Sequence, residues 1–175
     1  KLLHVHDQGR DGELCSYDVT DYEAVLPILI DLLYRYPQME VLVINAGIIA
    51  DGLFFMMPRE DWQSVINTGI NGFFTVTRPV VEHMLKNRQG AIVSIASTSA
   101  LVGNRGQTNY SAAKGGLISA NRSLAAEVAR LGVRVNVVAP GLIDTDMIED
   151  APLKNINAMI PMSRIGKPKE VAQAV

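Results

Sequence analysis

Tyr110 and Lys114 stand four residues apart at the head of NYSAAKGGLISANRSLAAEVA, residues 109–129. Four residues are close to one helical turn, so a phenol and an ammonium at this spacing leave the same helix face and can reach one partner. A nearby ammonium favours the phenolate and lowers the pKa of a phenol, whose ordinary value of about 10 suits proton transfer at neutral pH poorly. An isolated pair of this kind is more often a surface tyrosine and a solvated lysine, so other parts of the chain must decide.

Short runs rich in Val, Ile and Leu alternate with longer helical patterns along the chain. The predicted strands are 2–6, 13–19, 41–47, 91–97 and 133–140. The predicted helices are about 21–36, 60–88 and 108–131, with a further helix beginning in 167–175. Near-continuous apolar residues in a strand indicate burial on both faces, which is typical of parallel sheets. Asp21 is a plausible start signal for the first helix.

The alternation of strands and helices predicts an α/β fold with a doubly wound parallel sheet in three layers, α/β/α. No linker or repeat divides the sequence, so residues 1–175 are expected to form a single domain. Only residues 7–12 separate the first two predicted strands, whereas a parallel crossover needs about a dozen residues or more. Either these strands are not parallel neighbours or a segment is missing near residues 6–9, and we favour the missing segment.

Composition excludes several classes of function. A formal net charge of −2 gives no reason to expect nucleic acid as a partner, and no stretch approaches the ~18 apolar residues of a membrane span. The single cysteine, Cys15, cannot form an internal disulfide and fits a reducing compartment. His4 and His6 share one face of a predicted strand, but without an acidic or cysteine partner they indicate packing, so no metal site is expected.

Small or hydrogen-bonding residues stand where the predicted strands end. In an open α/β sheet, ligands bind beyond the carboxyl ends of the strands. Each of these ends alone has an ordinary explanation as a turn or a cap, but together they precede the helix of Tyr110 and Lys114 and favour a ligand site. The residues are Asp18-Val19, Asn45-Ala46-Gly47, Ser97-Thr98-Ser99 and Pro140-Gly141.

Several of these motifs together resemble the short-chain dehydrogenase/reductase family. They are INAG (44–47), GAIVSIAS (90–97), Tyr110-x-x-x-Lys114 and RVNVVAPGLIDTDM (134–147), with thirteen residues from Ser97 to Tyr110 as in the family. Two further segments are most similar to the 3-oxoacyl-[acyl-carrier-protein] reductase branch: GNRGQTNYSAAKGGL (103–117) and IPMSRIGKPKEVA (160–172).

The resemblance implies a Rossmann-type fold and NADPH-dependent reduction of a 3-oxoacyl thioester, linked to acyl-carrier protein or CoA, to the 3-hydroxyacyl product. Tyr110 would donate the proton, Ser97 would bind the substrate carbonyl, and Lys114 would hold the cofactor ribose and make the phenol more acidic. It further implies NADP rather than NAD, a cytoplasmic location and a homotetramer, with a dimer as the lesser possibility. Two alternatives stay open: a short-chain dehydrogenase acting on a sugar, steroid or small alcohol, and a cofactor-binding protein that has lost activity.

By the same resemblance, a set of residues at the strand ends would contact the cofactor. Asp18 and Val19 would face the adenine, although Asp18 could equally be a loop acid before a helix. The remaining residues in this set are Asn45, Ala46, Gly47, Tyr110, Lys114, Pro140, Gly141, Ile143 and Thr145.

The sequence departs from the family in two ways. The family's first strand, the glycine-rich phosphate loop after it and the final strand are not found, and we expect these to be stretches missing from the sequence in hand. In addition, Gly69 occupies the position of a fourth catalytic residue, an Asn that holds a water in a proton relay. Asn67 and Asn71 flank it but should point elsewhere on a helix, so we expect Gly69→Asn to raise turnover.

Overall fold

A parallel sheet of three strands organises the computed structural model, which describes residues 12–145 and 160–175. The strands are β1 (Val41–Ile44), β2 (Gly90–Ile95) and β3 (Val133–Val138), hydrogen-bonded in the order β1-β2-β3. Val41 pairs with Ala91, and Gly90 pairs with Val133. Since parallel neighbours need a crossover, each pair of consecutive strands is joined by helices.

The helices carry most of the described chain. They are α1 (Tyr22–Arg35), α2 (Arg59–Ile66), α3 (Gly72–Asn87), α4 (Ser99–Val102), α5 (Thr108–Val128) and α6 (Pro168–Ala174). A π-helical turn, Asn67–Asn71, joins α2 to α3. α1 packs on α3, whereas α5 packs on β2 and β3.

The core lies between one face of the sheet and the helices. Val25 and Leu29 of α1 and Met84 of α3 pack with Ile92 of β2 and Val133 of β3 in one buried cluster. Successive strand residues point to opposite faces. On the other face, Val41 and Val43 are 59% and 46% exposed, so the described residues form the sheet and one helical layer. The second helical layer stays a prediction.

The predicted parallel α/β fold is confirmed, and Asp21 begins α1 as expected because its carboxylate accepts a hydrogen bond from Ala24 N at 3.1 Å. The strand predicted at 13–19 is wrong. That segment is irregular, since it has no ladder partner within the described chain and Glu13 instead binds Arg35 and Tyr36 at the end of α1. The strand predicted at 2–6 lies outside the described residues.

The helix predicted over 60–88 is interrupted by the π-helical turn. Gly69 and Gly72 fall at this interruption, and glycine is a poor helix former in a helix interior. The turn matters for the site because a π-bulge changes which residues of a helix face its neighbour. Of the helices within residues 12–145 and 160–175, none combines the length and apolar character needed to cross a membrane.

Gly132 sets the turn before β3. Its φ of +85° is one that side-chain-bearing residues rarely adopt, and a Cβ there would overlap the carbonyl oxygen of Arg88, which ends α3 with a φ of +52°. Each of these residues shortly precedes its strand, so this contact brings the starts of β2 and β3 together and supports the pairing of Gly90 with Val133.

We therefore expect Gly132→Ala to lower the free energy of unfolding by about 3 kcal/mol or more, because it adds a backbone clash to the strain of a positive φ. Gly106 is the matched control. Its φ is +86°, close to that of Gly132, but a Cβ there would meet its nearest neighbour at 3.9 Å, an ordinary contact, so Gly106→Ala should cost only the strain of the positive φ, about 1–2 kcal/mol. Urea denaturation of both variants measures the difference, and equal losses would contradict the proposed role of the Arg88 contact.

Candidate active site

Lys114 is buried where α5 passes the carboxyl end of β2. Only 5% of the residue is exposed, and its Nζ donates a 2.7 Å hydrogen bond to the carbonyl oxygen of Ile95, the last residue of β2. Burial lowers the pKa of the Lys114 ammonium to about 8. An ammonium has three donors, and Ile95 is the sole acceptor that Nζ binds within residues 12–145 and 160–175.

Tyr110 lies one turn before Lys114, with the centre of its ring 5.8 Å from Nζ. Burial raises the pKa of the Tyr110 phenol above its ordinary value, hydrogen bonding with Ser97 opposes this, and the negative charge of Asp51 adds to the rise. The expected net lowering of the Tyr110 pKa by Lys114 is therefore not found in the protein alone. Removal of the phenol from water is the largest influence on the Tyr110 pKa, and Lys114 is not among the groups that shift it.

Ser97 completes the cluster from the segment after β2. Its Oγ lies 2.7 Å from the Oγ of Ser99 and accepts a hydrogen bond from Ser99 N at 3.2 Å, so the hydroxyl is held in place. The structure thus brings together the three side chains that the sequence singled out, Ser97, Tyr110 and Lys114. Their catalytic roles stay a prediction.

Gly47, after β1, lies directly against the lysine. A Cβ at Gly47 would come within 3.2 Å of Lys114 Nζ, so any larger residue would crowd the ammonium. Asn45 and Ala46 before it are exposed beyond the strand end. A ligand can therefore approach the backbone here while the remaining donors of Lys114 bind hydroxyl groups, an arrangement that fits the ribose of a nicotinamide cofactor.

The segment after β3 borders the same edge of the sheet. The carbonyl oxygen of Pro140 accepts a hydrogen bond from Thr98 N at 2.9 Å, which joins this segment to the one that carries Ser97. Ile143 forms a parallel bridge with Gly166, and Thr145 is exposed with its hydroxyl 3.4 Å from the Ile143 carbonyl oxygen. These residues and Gly141 are therefore placed beside the carboxyl ends of the strands, as a cofactor-binding role requires.

Asp18 and Val19 lie in the turn before α1. Hydrogen bonds from the backbone and hydroxyl of Thr20 hold the pKa of the Asp18 carboxyl below its ordinary value, at distances of 2.9 and 2.8 Å. Val19 packs at the start of α3, where its Cγ2 would be 2.7 Å from a Cβ at Gly72. Asp18 is thus a turn acid before a helix, and the contact of both residues with adenine stays a prediction.

Gly69 is buried in the π-helical turn, facing α5. A Cβ at this position would lie 3.0 Å from the Cβ of Ala113, closer than side chains normally pack. Asn67 and Asn71 point elsewhere, as expected, since Asn71 Nδ2 donates to Asn67 Oδ1 at 2.8 Å near the surface. An Asn at position 69 therefore requires α5 to shift away at Ala113. The sequence alone did not indicate this contact.

Two residues that the sequence analysis overlooked also contribute to the site. Asp51 is exposed, accepts a 2.9 Å hydrogen bond from Gln107 Nε2, and acts on Tyr110 through its charge. Asn109 precedes Tyr110 and is fully buried. Neither Asp51 nor Asn109 lies at the end of a predicted strand, where the sequence analysis looked for site residues. The position of Asn109 next to Tyr110 was the one signal that could have identified it.

A hollow of about 290 Å³ opens beside the loop that follows β1. It is lined by Phe54, Met57, Arg59 and Trp62, and the rings of Phe54 and Trp62 meet edge to face at 6.2 Å. Its walls are apolar except for the guanidinium. A larger hollow of about 420 Å³ lies between α5 and β3, away from the Tyr110 end of the helix, where Ile118 and Val135 are among the lining residues.

Comparison with known proteins gives concordant results. A family model described as short chain dehydrogenase matches residues 2–155. The 3-oxoacyl-[acyl-carrier-protein] reductase FabG of Thermotoga maritima is 42% identical over 173 residues, covering 96% of this chain and 70% of that protein. The proteins of the same name from Aggregatibacter actinomycetemcomitans and Escherichia coli K12 are 41% and 40% identical, covering 98% and 95% of this chain and 72% and 70% of theirs.

Burial of the Lys114 ammonium leads to a stability prediction. Because its pKa is about 8 in the folded protein against 10.5 as the ordinary value, the unfolded chain binds more protons between these pH values. The burial cost is therefore fully present below pH 8 and fades as the pH rises to 10.5. We expect Lys114→Met to raise the free energy of unfolding by about 1–2 kcal/mol at pH 7, because removal of the burial cost outweighs loss of the hydrogen bond to Ile95. Near pH 10.5 we expect no gain.

Urea denaturation of the wild type and the variant at both pH values measures this difference. Lys86→Met, at an exposed position of α3, is the matched control and should change stability little at either pH. A gain for Lys114→Met that is the same at both pH values would contradict a buried ammonium.

Proposed function

Since this chain belongs to the short-chain dehydrogenase family of NAD(P)-dependent oxidoreductases, we propose that it reduces the ketone of a 3-oxoacyl thioester to the 3-hydroxyacyl product. The observation that carries the proposal is the buried Lys114, held one turn from Tyr110 at the carboxyl end of β2. The three relatives named above, which are 3-oxoacyl-[acyl-carrier-protein] reductases at about 40% identity, support a substrate linked to acyl-carrier protein.

The proposed chemistry divides between the cofactor and the chain. A reduced nicotinamide supplies the hydride that the carbonyl carbon accepts. The hydroxyl of Ser97, oriented by Ser99, donates a hydrogen bond to the carbonyl oxygen, and the Tyr110 O–H transfers its proton to that oxygen. The alcohol then forms and a tyrosinate remains. The ammonium of Lys114 stabilises that tyrosinate, and solvent restores the proton.

The raised pKa of Tyr110 is compatible with this direction of reaction. An acid must hold its proton until the substrate oxygen gains negative charge. A phenol with its ordinary pKa of about 10 is already protonated at neutral pH, and burial, which raises the pKa of Tyr110, keeps it so. Ser97 opposes the rise in pKa and so eases release of the proton.

The proposed cofactor is NADPH, held by two groups of residues. Lys114 and Tyr110 bind the nicotinamide ribose beside Gly47, while Asn45 and Ala46 border the cofactor from β1. Asp18 and Val19, in the turn before α1, face the adenine. The residues that border the nicotinamide and the phosphates follow β3 and are Pro140, Gly141, Ile143 and Thr145.

The hollow beside Phe54 and Trp62 is a candidate site for the acyl chain. Its apolar walls favour an acyl group over a sugar, and Arg59 at its wall suits the anionic portion of a carrier-linked thioester. We further propose that residues 1–175 belong to one domain of a cytoplasmic homotetramer. Small exposed side chains on α5, such as Ala112 and Ala126, and the 54% exposure of Phe74 on α3 support helix-to-helix contact between subunits.

The proposal is tested by turnover of the full-length protein with NADPH on acetoacetyl thioesters, compared with a sugar, a steroid and small alcohols under NADP. We expect the thioester to react fastest, and Tyr110→Phe to lower kcat by about 10²–10⁴-fold because the general acid is lost. Tyr34→Phe, at an 86% exposed tyrosine of α1, is the control and should retain wild-type activity.

Each alternative has its own outcome in this assay. Faster reaction of an alcohol, sugar or steroid than of the thioester would favour another short-chain dehydrogenase. Cofactor binding in a titration without turnover on any substrate would favour a protein that has lost activity.

Gly69 provides a second test of the proposed site. The structure modifies the expectation that Gly69→Asn alone raises turnover, because the new side chain would press on Ala113. We expect the gain to appear only in the double variant Gly69→Asn/Ala113→Gly, in which the missing methyl group admits the Asn. Ala113→Gly alone should destabilise the protein by about 1 kcal/mol without raising kcat. Steady-state kcat of the three variants decides, and a double variant no faster than the wild type would refute the role of this position.

A further inference from the structure

Asn109 uses both ends of its side-chain amide. The residue is 0% exposed, and Nδ2 donates hydrogen bonds to the carbonyl oxygens of Ala50 at 2.8 Å and Asp61 at 3.4 Å. Oδ1 accepts a 2.8 Å hydrogen bond from the backbone N–H of Tyr110. A single short side chain therefore connects the start of α5 with the loop after β1 and with α2.

The bond to Tyr110 N replaces a missing helix cap. The first N–H groups of a helix lack partners within the helix, and a side chain at the cap position usually supplies one. Gln107 occupies that position in α5 and makes no such bond. Asn109 instead binds the N–H of Tyr110 from within the first turn, so the backbone of the tyrosine is fixed directly.

Two further hydrogen bonds run alongside this one. Gly52 N donates to the carbonyl oxygen of Gly106 at 2.8 Å, and Gln107 Nε2 donates to Asp51 Oδ2 at 2.9 Å. We call residues 50–52 and 106–109 the loop clamp. The loop that the clamp holds also carries Gly47, which lies against Lys114. The clamp therefore links the position of Tyr110 to the position of the loop beside the Lys114 ammonium.

We propose that Asn109 is a positioning residue for proton transfer by Tyr110: its amide locks the first turn of α5 to the loop after β1 and so fixes the phenol relative to Ser97 and Lys114. This inference rests on the proposed function. The site requires one acceptor and one donor on a short side chain. Aspartate lacks the donor and would set a carboxylate against two carbonyl oxygens, and alanine lacks both groups.

Asn121 provides a matched control on the same helix. It is 2% exposed, accepts a hydrogen bond from Ser94 Oγ at 2.9 Å and donates to the carbonyl oxygen of Leu117 at 2.8 Å. It lies eleven residues beyond Tyr110, about 16 Å along the helix axis. Substitution of either asparagine disturbs a buried polar network, but only one of the two networks touches Tyr110.

The first measurement compares kcat and KM of Asn109→Ala and Asn109→Asp with Asn121→Ala and Asn121→Asp in the full-length protein. We expect the Asn109 variants to lose about 10- to 100-fold in kcat with KM changed less than about 3-fold, because a small displacement of the acid impairs the chemical step. The Asn121 variants should lose stability and keep kcat within about 3-fold. Equal losses of kcat at the two positions would overturn the proposal.

The second measurement does not depend on turnover. In protein labelled with ¹³C at the tyrosine ring, the Tyr110 signal is the one that disappears in Tyr110→Phe. In Asn109→Ala, or in Asn109→Ser if the alanine variant does not fold, we expect the midpoint of the Tyr110 titration to move while the other tyrosines stay unchanged. An unmoved Tyr110 midpoint in a folded variant would overturn the positioning role. If the Tyr110 midpoint moves in Asn109→Ala but the wild type reduces no thioester, the positioning role is supported and the proposed function is contradicted.

Discussion

The hydrogen bond from the Lys114 ammonium to the Ile95 carbonyl is the contact on which the site depends. It joins the last residue of β2 to the second turn of α5, and so fixes the distance between the sheet edge that carries Ser97 and the helix that carries Tyr110. A charged group at 5% exposure is costly, and one backbone oxygen compensates only part of that cost. A polar ligand that reached Nζ beside Gly47 would supply further partners for this ammonium.

The electrostatic arrangement follows from this contact. A lysine directed at the phenol oxygen would make Tyr110 more acidic at once, whereas a lysine bound to Ile95 leaves burial as the dominant influence on the pKa of Tyr110. The protein alone thus holds a protonated tyrosine and an ammonium whose pKa is lowered. In the proposed reaction the two groups act in sequence: the phenol gives up its proton, and the ammonium then stabilises the tyrosinate.

Sequence patterns predicted the parts of the fold that local chemistry determines. The strands at 41–47, 91–97 and 133–140 were evident because buried parallel strands are almost wholly apolar, and Asp21 was evident because a cap acts within one turn. The segment 13–19 is less apolar, since it contains Glu13, Ser16 and Asp18. A strand also exists only with a partner, and the identity of the partner is a property of the whole sheet. The spacing of Ser97, Tyr110 and Lys114 reflects one strand end and one helix, and for that reason it could be read from the chain.

Contacts between distant segments could not be read in this way. The crowding of Gly69 by Ala113 depends on a π-helical turn whose extra residue rotates one helix face against another. The bonds of Asn109 reach back 59 and 48 residues, and an asparagine before a tyrosine looks like an ordinary helix start. Gly69 and Asn109 shape the surroundings of Ser97, Tyr110 and Lys114, the residues that the motif itself identifies.

Asp51 gives the site a sensitivity to its ionic surroundings. Its carboxylate is exposed, so its effect on Tyr110 passes partly through solvent and is screened by dissolved ions, with a Debye length of about 10 Å at 0.1 M salt. The contribution of burial is not screened. A high salt concentration therefore reduces the contribution of Asp51 to the Tyr110 pKa and leaves the contribution of burial unchanged. Tyr110 is then a slightly stronger acid at high salt than in dilute buffer.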